Sequence, residues 1–484
     1  MITGSNNEKA LEVRTHDIPV ADAMGEFMKQ GWAQSPLEGI SAHSSVPFTK
    51  IRRDKISKLF TGYRLVFPSG PLKVRSNDSD YPYRAHSAYL WFTGITAPDA
   101  VPDSAFVMEP NQKSHESFLF IHPRSPRNSD EFYKNARYGE FWVGRRMTLE
   151  ETEIKYQIKV KQIEDIENFL KDGKPTLIIR GEDSTLDSLV TASEKEEELK
   201  NISSVMRMIK DDYEIKEMQK AVDSSVRGFA DMVRVFPVAT STKRGERVIE
   251  AAFYGRARLE GNDNGYPSIV ASGAHACVLH WIKNDGDVMP TDLILIDAGV
   301  EVESHYTADI TRTFPVSGKF SPAQRKIYEI VYRAQQAGIA AVKPGAQFKD
   351  MHAACMVEIA KGAYELGVLP MSPDESLKPE NGLHRRWQFH GSGHHLGIDV
   401  HDCSHARKEQ YADAVLEPGM ILTVEPGFYI QPDDTLFPPE YRGIGVRIED
   451  DVLVTETGCK ILSNALPRHP DEVEAYMAQI LSSK

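Results

Sequence analysis

The rhythm of apolar and polar positions changes near residue 205. Before it, short apolar runs separated by turn residues predict the strands of a sheet: 63–68 (YRLVFP), 89–93 (YLWFT), 105–108 (AFVM), 118–121 (FLFI) and 176–180 (TLIIR). One helix is expected near 20–31 and a long, charged one over 150–170. The charge run 193–200 (SEKEEELK) reads as a solvated helix face close to a domain boundary. Residues 1–45, polar and broken by Pro19 and Pro36, read as a mobile or surface-hugging lead-in.

From about 205 the helical period dominates. Asp212 caps a predicted helix to Phe236, with Ile215, Met218, Ala221, Val222, Val226 and Phe229 on one face. Ser321 and Pro322 are an N-cap and first-turn pair for a second helix to about Val342. A third is expected over 348–366, ended by Gly367. Strands are predicted at 293–296 (LILI), 420–424 (MILTV) and 446–455 (VRIEDDVLVT). No sequence repeat is evident, yet helices and strands recur in similar order in two halves of this region. The expected division is a lead-in over 1–45, an α/β domain over 46–204 and an α+β catalytic domain over 205–484.

Composition narrows the class. Of 484 residues, 41% are hydrophobic and 26% charged, a globular balance. The net charge of −13 gives no general pull toward nucleic acid or an anionic membrane surface. No stretch approaches the ~18 apolar residues of a membrane span, and the first twenty residues lack the apolar core of a signal peptide. A soluble cytoplasmic protein is the expectation. The four cysteines, Cys277, Cys355, Cys403 and Cys459, form no CxxC pair and read as reduced core residues. There is no HExxH, Walker A or GxSxG motif.

Chemistry concentrates in the second half. Ten of the 16 histidines fall between His275 and His405. Carboxylates stand at strand ends: Asp297 after LILI, Asp309 twelve residues on, and Glu425 after MILTV. In 446–455, alternation puts Arg447, Glu449 and Asp451 on one face. His394 lies in the glycine-rich HGSGHHLG. A buried carboxylate closing a strand needs a partner or a cation. Four carboxylates and one imidazole balance two divalent cations in charge, and oxygen-rich ligation favours hard ions such as Mn²⁺, with Co²⁺ or Zn²⁺ able to substitute.

These residues carry a resemblance. Their order, with the words LIDAGVEVESHYTADITRTFPVSGKFSPAQRKIYEIV, HGSGHHLGIDVHD, LEPGMILTVEPGFYI and PPEYRGIGVRIEDDVLVTETG, is similar to the "pita-bread" dinuclear metallopeptidases, and most to the aminopeptidase P (Xaa-Pro aminopeptidase) family. DYPYR, LWFTG and FWVGRR in the first half resemble that family's N-terminal domain. The resemblance implies a creatinase-like α/β domain followed by an α+β pita-bread catalytic domain. It implies two divalent ions held by Asp297, Asp309, His394, Glu425 and Glu449, with Asp309 and Glu449 bridging. Two such ions activate one water as nucleophile. Glu425 would also shuttle a proton. His280, His390 and His401 would orient substrate and stabilise the tetrahedral intermediate, and Arg447 would anchor Asp297. Tyr429, four residues past Glu425, is a candidate for the same support and for the substrate side. Trp142 matches a residue that reaches a neighbouring subunit's active site, which implies a homodimer or homotetramer. The loop between His401 and Glu425 is longer than the family pattern, so no peptide-binding arginine carries over from it.

The implied activity is release of the first residue from peptides with proline second. An Xaa-Pro bond has no N–H and a fixed φ, which a metal-activated hydroxide tolerates. The nearest alternative is a prolidase, cutting Xaa-Pro dipeptides and possessing a side activity on organophosphate esters. A metal-free creatinase-like amidinohydrolase and a non-catalytic pita-bread binding protein are opposed by the full ligand set.

Overall fold

The computed structural model describes residues 19–482, so the first 18 residues of the expected lead-in lie outside the described residues. The chain divides into two compact units between Lys200 and Asn201.

The first unit is built on a five-stranded sheet in the order Lys159–Gln162, His115–Ile121, Ala105–Pro110, Arg64–Pro68, Thr176–Ile178. The three central strands run antiparallel to one another, and each edge strand pairs parallel with the strand beside it. One face packs Val66, Val107, Phe118, Phe120 and Ile178 against Ile166 and Leu170. The lead-in helix is Asp22–Met28, and the Leu37 amide donates to Glu151 at 2.9 Å, which ties that segment down.

Three expectations fail here for physical reasons. Residues 89–93 are not a strand but part of the helix Ser87–Thr93, in which every side chain is buried. A helix buried all round shows no amphipathic period. Its ends are marked instead: the His86 ring accepts from the Ala88 amide, and Gly94 closes the helix at φ 74. The long helix over 150–170 is broken. Leu149–Tyr156 ends at Gln157 in the left-handed region, and the chain then forms the edge strand Lys159–Gln162 and the short helix Ile166–Leu170. Lysines on that edge strand conceal its period, as suits an exposed sheet edge. The acidic run at 193–200 opens the helix Lys195–Met208, but it is not wholly solvated: Glu196 is buried and receives Arg180 Nε at 2.7 Å.

In the second unit the two halves do recur. A helix pair, Asp212–Arg234 and Gly245–Glu260, precedes the antiparallel sheet Ile269–Ser272, Leu293–Ala298, Ile310–Pro315. A second pair, Pro322–Ala341 and Phe348–Glu365, precedes the antiparallel sheet Ile421–Val424, Asp450–Val454, Cys459–Ile461. Capping boxes at Asp211/Glu214 and Ser321/Gln324 start the first helix of each pair. The predicted strand 446–455 is split into Gly445–Arg447 and Asp450–Val454. The Glu449 amide leaves the ladder and donates to Thr311 O at 3.0 Å, which joins the two sheets at the carboxylates. Alternation holds across the break: Arg447, Glu449 and Asp451 turn toward those carboxylates, while Asp450 points away to Arg312 at 2.7 Å.

Candidate metal centre and active site

The strand Leu293–Ala298 runs on through Asp297, which pairs in register with Thr311. Asp309 precedes that partner strand by one residue. Glu425 follows Ile421–Val424, and its amide donates to Ser392 O at 2.9 Å. The His394 segment lies against the same strand: Thr423 N donates to His394 O at 2.9 Å, and His394 N to Thr423 Oγ1 at 3.1 Å. Three strand ends, one strand break and one loop therefore converge.

His394 Nε2 is 3.2 Å from Asp309 Oδ2 and 3.8 Å from Glu425 Oε1. Its Nδ1 faces the His395 carbonyl at 3.1 Å, so Nδ1–H donates there and Nε2 is turned to the carboxylates. Ligand atoms of Asp309, His394 and Glu449 all lie within 4.8 Å of one another. Arg447 Nη2 donates to Asp297 Oδ2 at 2.6 Å, and its Nε donates to Thr311 Oγ1 at 3.1 Å. The Thr311 hydroxyl in turn donates to Glu449 Oε2 at 2.7 Å.

Burial and like charge govern ionisation. Burial, and then Asp297, raises the Asp309 carboxyl. Burial lifts Glu425 to about 7, against the pull of His394 and Arg447. Glu449 is driven well up by burial and by Asp309. Burial lowers His394, but Asp309 and Glu425 outweigh it and raise the imidazole to about 9. Hard carboxylate oxygens packed this closely around one free imidazole nitrogen make a donor set that fits divalent cations.

The ligand candidates line one cavity of about 890 Å³ together with His280, His390, His401 and Arg447. His390 donates from Nδ1 to Gly391 O at 2.6 Å, so its Nε2 accepts from the Tyr429 hydroxyl at 2.8 Å; that hydroxyl accepts from Arg447 Nη1 at 3.0 Å. Burial and Arg447 hold the His390 ring down at about 4, hence neutral. His280 and His401 are exposed at the cavity wall, His401 edge-on to His394 with ring centres 4.3 Å apart. Trp142 belongs to the first unit, exposed on the short helix Glu140–Val143, and its indole N–H donates to Tyr133 O at 2.6 Å.

Sequence reasoning missed two supports, Tyr266 and Asp402, and gave Asp451 a face but no role. Tyr266, half-buried, places its hydroxyl 2.6 Å from Asp297 Oδ1 and 2.5 Å from Asp309 Oδ1, donating to one or the other. Asp451 accepts the Asp309 amide at 3.2 Å from behind. Asp402, next to His401, is buried between Arg207 Nε at 3.0 Å and Lys210 Nζ at 3.2 Å. Tyr266 sits in a Gly-Tyr-Pro turn with no period to betray it, and Asp402 lies far in sequence from its cations.

Residues 216–456 match metallopeptidase family M24, and residues 49–176 match the aminopeptidase P N-terminal domain. The chain is 48% identical to Xaa-Pro aminopeptidase 1 of Streptomyces coelicolor, over 99% of this chain and 97% of that protein. The chain belongs to metallopeptidase family M24. The Escherichia coli Xaa-Pro aminopeptidase is 31% identical, over 90% of this chain and 99% of that one. The solved Pseudomonas aeruginosa aminopeptidase PepP superposes with a TM-score of 0.78 at 32% identity, covering 90% and 98% of the two chains. These likenesses establish the two-domain pita-bread architecture and the hydrolase class, and M24 membership implies divalent metal ions. No helix among the described residues is long and apolar enough to cross a membrane.

Proposed function

We propose that this M24 protein is a manganese-dependent Xaa-Pro aminopeptidase, releasing the first residue from peptides with proline second. The observation that carries the reading is convergence: Asp297, Asp309, His394, Glu425 and Glu449 meet at one wall of a cavity that also exposes His280, His390 and His401. The names of its relatives favour an aminopeptidase over a dipeptidase. The five residues would hold two divalent cations. Bound there, such ions supply Lewis acidity and make water nucleophilic near neutral pH.

The chain's own groups do the rest. Glu425 takes a proton from the attacking water and returns it to the prolyl nitrogen, which must leave as an amine. His390, neutral and fixed by Tyr429 through its Nε2, orients the scissile segment with His280 and His401. Arg447 holds Asp297 in place and offsets its charge. The apolar wall at Ile269, Leu279 and Ile282 excludes water around the proline ring.

Trp142 motivates a homodimer or homotetramer, and equilibrium sedimentation tests it; a fully active monomer contradicts it. All four cysteines are free and three are buried, which suits the cytoplasm. The exopeptidase reading is tested by mass spectrometry of Xaa-Pro-Yaa-Zaa digests. Only the first residue should be released, and the N-acetylated peptide should survive. Cleavage of the acetylated peptide contradicts the reading.

A further inference from the structure

One fully buried carboxylate outside the metal cluster has four donors aimed at it. Glu246, in the first turn of Gly245–Glu260, is 0% exposed. Its Oε1 accepts from Ser272 N and His275 Nδ1, each at 2.8 Å. Its Oε2 accepts from Trp281 Nε1 at 2.8 Å and Gly286 N at 2.7 Å. These donors are spread along one loop: its first residue, two side chains in its middle, and its last turn. The His275 and Trp281 rings stack with centres 3.8 Å apart. A Cβ on Gly286 would stand 2.6 Å from the His275 ring and 2.9 Å from the Glu246 carboxyl carbon, so the loop end closes tightly on the clamp. One helical turn on, Glu250 accepts Asn284 Nδ2 at 2.9 Å, and Asn284 Oδ1 accepts Val270 N at 2.9 Å.

The loop gathered in this way delivers Leu279, His280 and Ile282 to the cavity wall. His280 is itself exposed, and its neighbour Trp281 is clamped. Leu279 and Trp281 pack on the core cluster that contains Tyr429, Ile269 and Leu295. A carboxylate accepting two donors on each oxygen is saturated and cannot shift without orphaning a buried donor.

We propose that Glu246 is a positioning residue, clamping the 272–286 loop through His275 and Trp281 so that His280 faces the carboxylates. This rests on the role given to His280 above. It assigns to His275 and Trp281 a task in catalysis, although neither lines the cavity.

The test is a double-mutant cycle on the full-length, metal-loaded protein with an Xaa-Pro-Yaa substrate, reading kcat, bound metal and Tm. Glu246→Gln cannot serve four donors, because its amide nitrogen accepts nothing. It should lower kcat by at least ~10-fold and by no more than His280→Ala does, which is ~10²–10⁴-fold. Bound metal should be unchanged. In the His280→Ala background, Glu246→Gln and His275→Phe should each cost less than ~2-fold, since they act through a side chain already gone. A folded Glu246→Gln protein with unaltered kcat overturns the proposal. So does a loss as large in the His280→Ala background as in the wild type. Where Glu246→Gln does not fold, His275→Phe, which keeps the ring stack and removes one donor, decides by the same criterion. A silent His280→Ala would remove the role assigned to that histidine; a silent His275→Phe beside a damaging His280→Ala would remove only the clamp.

Discussion

Arg447 Nη2 meets Asp297 Oδ2 at 2.6 Å across 150 positions of sequence, with both groups buried. That bond makes the strand Gly445–Arg447 a brace for the end of Leu293–Ala298, and the same guanidinium reaches Tyr429 and Thr311. An arginine this connected holds the acidic cluster together from outside it. Its loss leaves a buried carboxylate without its cation, a costly state.

Asp309→Asn is expected to abolish turnover and lower metal occupancy. Asp309 contacts His394, Tyr266 and, through its amide, Asp451, so it stands at the centre of the cluster. Removing one of four ligand charges leaves two divalent ions undercompensated. Elemental analysis and a steady-state assay check it; two ions bound with near-normal turnover would contradict it.

His280→Ala and His401→Ala should keep their metal and lose ~10²–10⁴-fold in kcat each. Both rings are exposed on the cavity wall, and neither forms an ion pair with a carboxylate among the described residues. Metal loss in either variant would make it a ligand instead.

Tyr266→Phe should weaken metal binding by about 10–100-fold, the usual effect of removing a group that orients a ligand. Its hydroxyl is the only group within reach of both Asp297 Oδ1 and Asp309 Oδ1 among the described hydrogen bonds. Competition with a graded chelator gives the affinity, and wild-type affinity would contradict the assignment.

Asp402 ties acid stability to the His401 loop. Burial alone would raise its carboxyl, but Arg207 and Lys210 outweigh burial and hold it below the usual carboxylate range. A depressed pKa contributes stability in full above the unfolded value of about 4 and loses it as pH falls toward the folded one. Asp402→Asn should cost about 3–5 kcal/mol at neutral pH, because two buried cations lose their partner. The gap from wild type should narrow below about pH 4. Denaturant unfolding across pH measures it, and a gap that is constant with pH would refute the linkage.

The sequence announced the site better than its supports. Asp297, Glu425 and Glu449 were legible because each closes, follows or interrupts an apolar strand, Asp309 because it opens the next strand twelve residues after Asp297, and His394 because it lies in a glycine-rich run. The same local patterns misread 89–93, where a wholly buried helix mimics a strand, and 150–170, where lysines hide an edge strand. The break at Ile448 and Glu449 was invisible, since the pleat continues across it. Tyr266, Asp402 and Glu246 could not be read at all. Each acts through partners brought together by tertiary folding, and an isolated tyrosine or acid in a turn or helix carries no periodic signature.

Paired initial rates of the manganese-loaded protein on Xaa-Pro-Yaa, Xaa-Pro and Xaa-Ala-Yaa test the substrate assignment most directly. The tripeptide with proline should be cut fastest. A pocket shaped to the proline ring loses roughly 1–3 kcal/mol of contact with a smaller side chain, and proline's fixed φ lowers the ordering cost of binding. A dipeptide rate above the tripeptide rate would make the protein a prolidase, and equal rates on Xaa-Pro-Yaa and Xaa-Ala-Yaa would make it a general aminopeptidase.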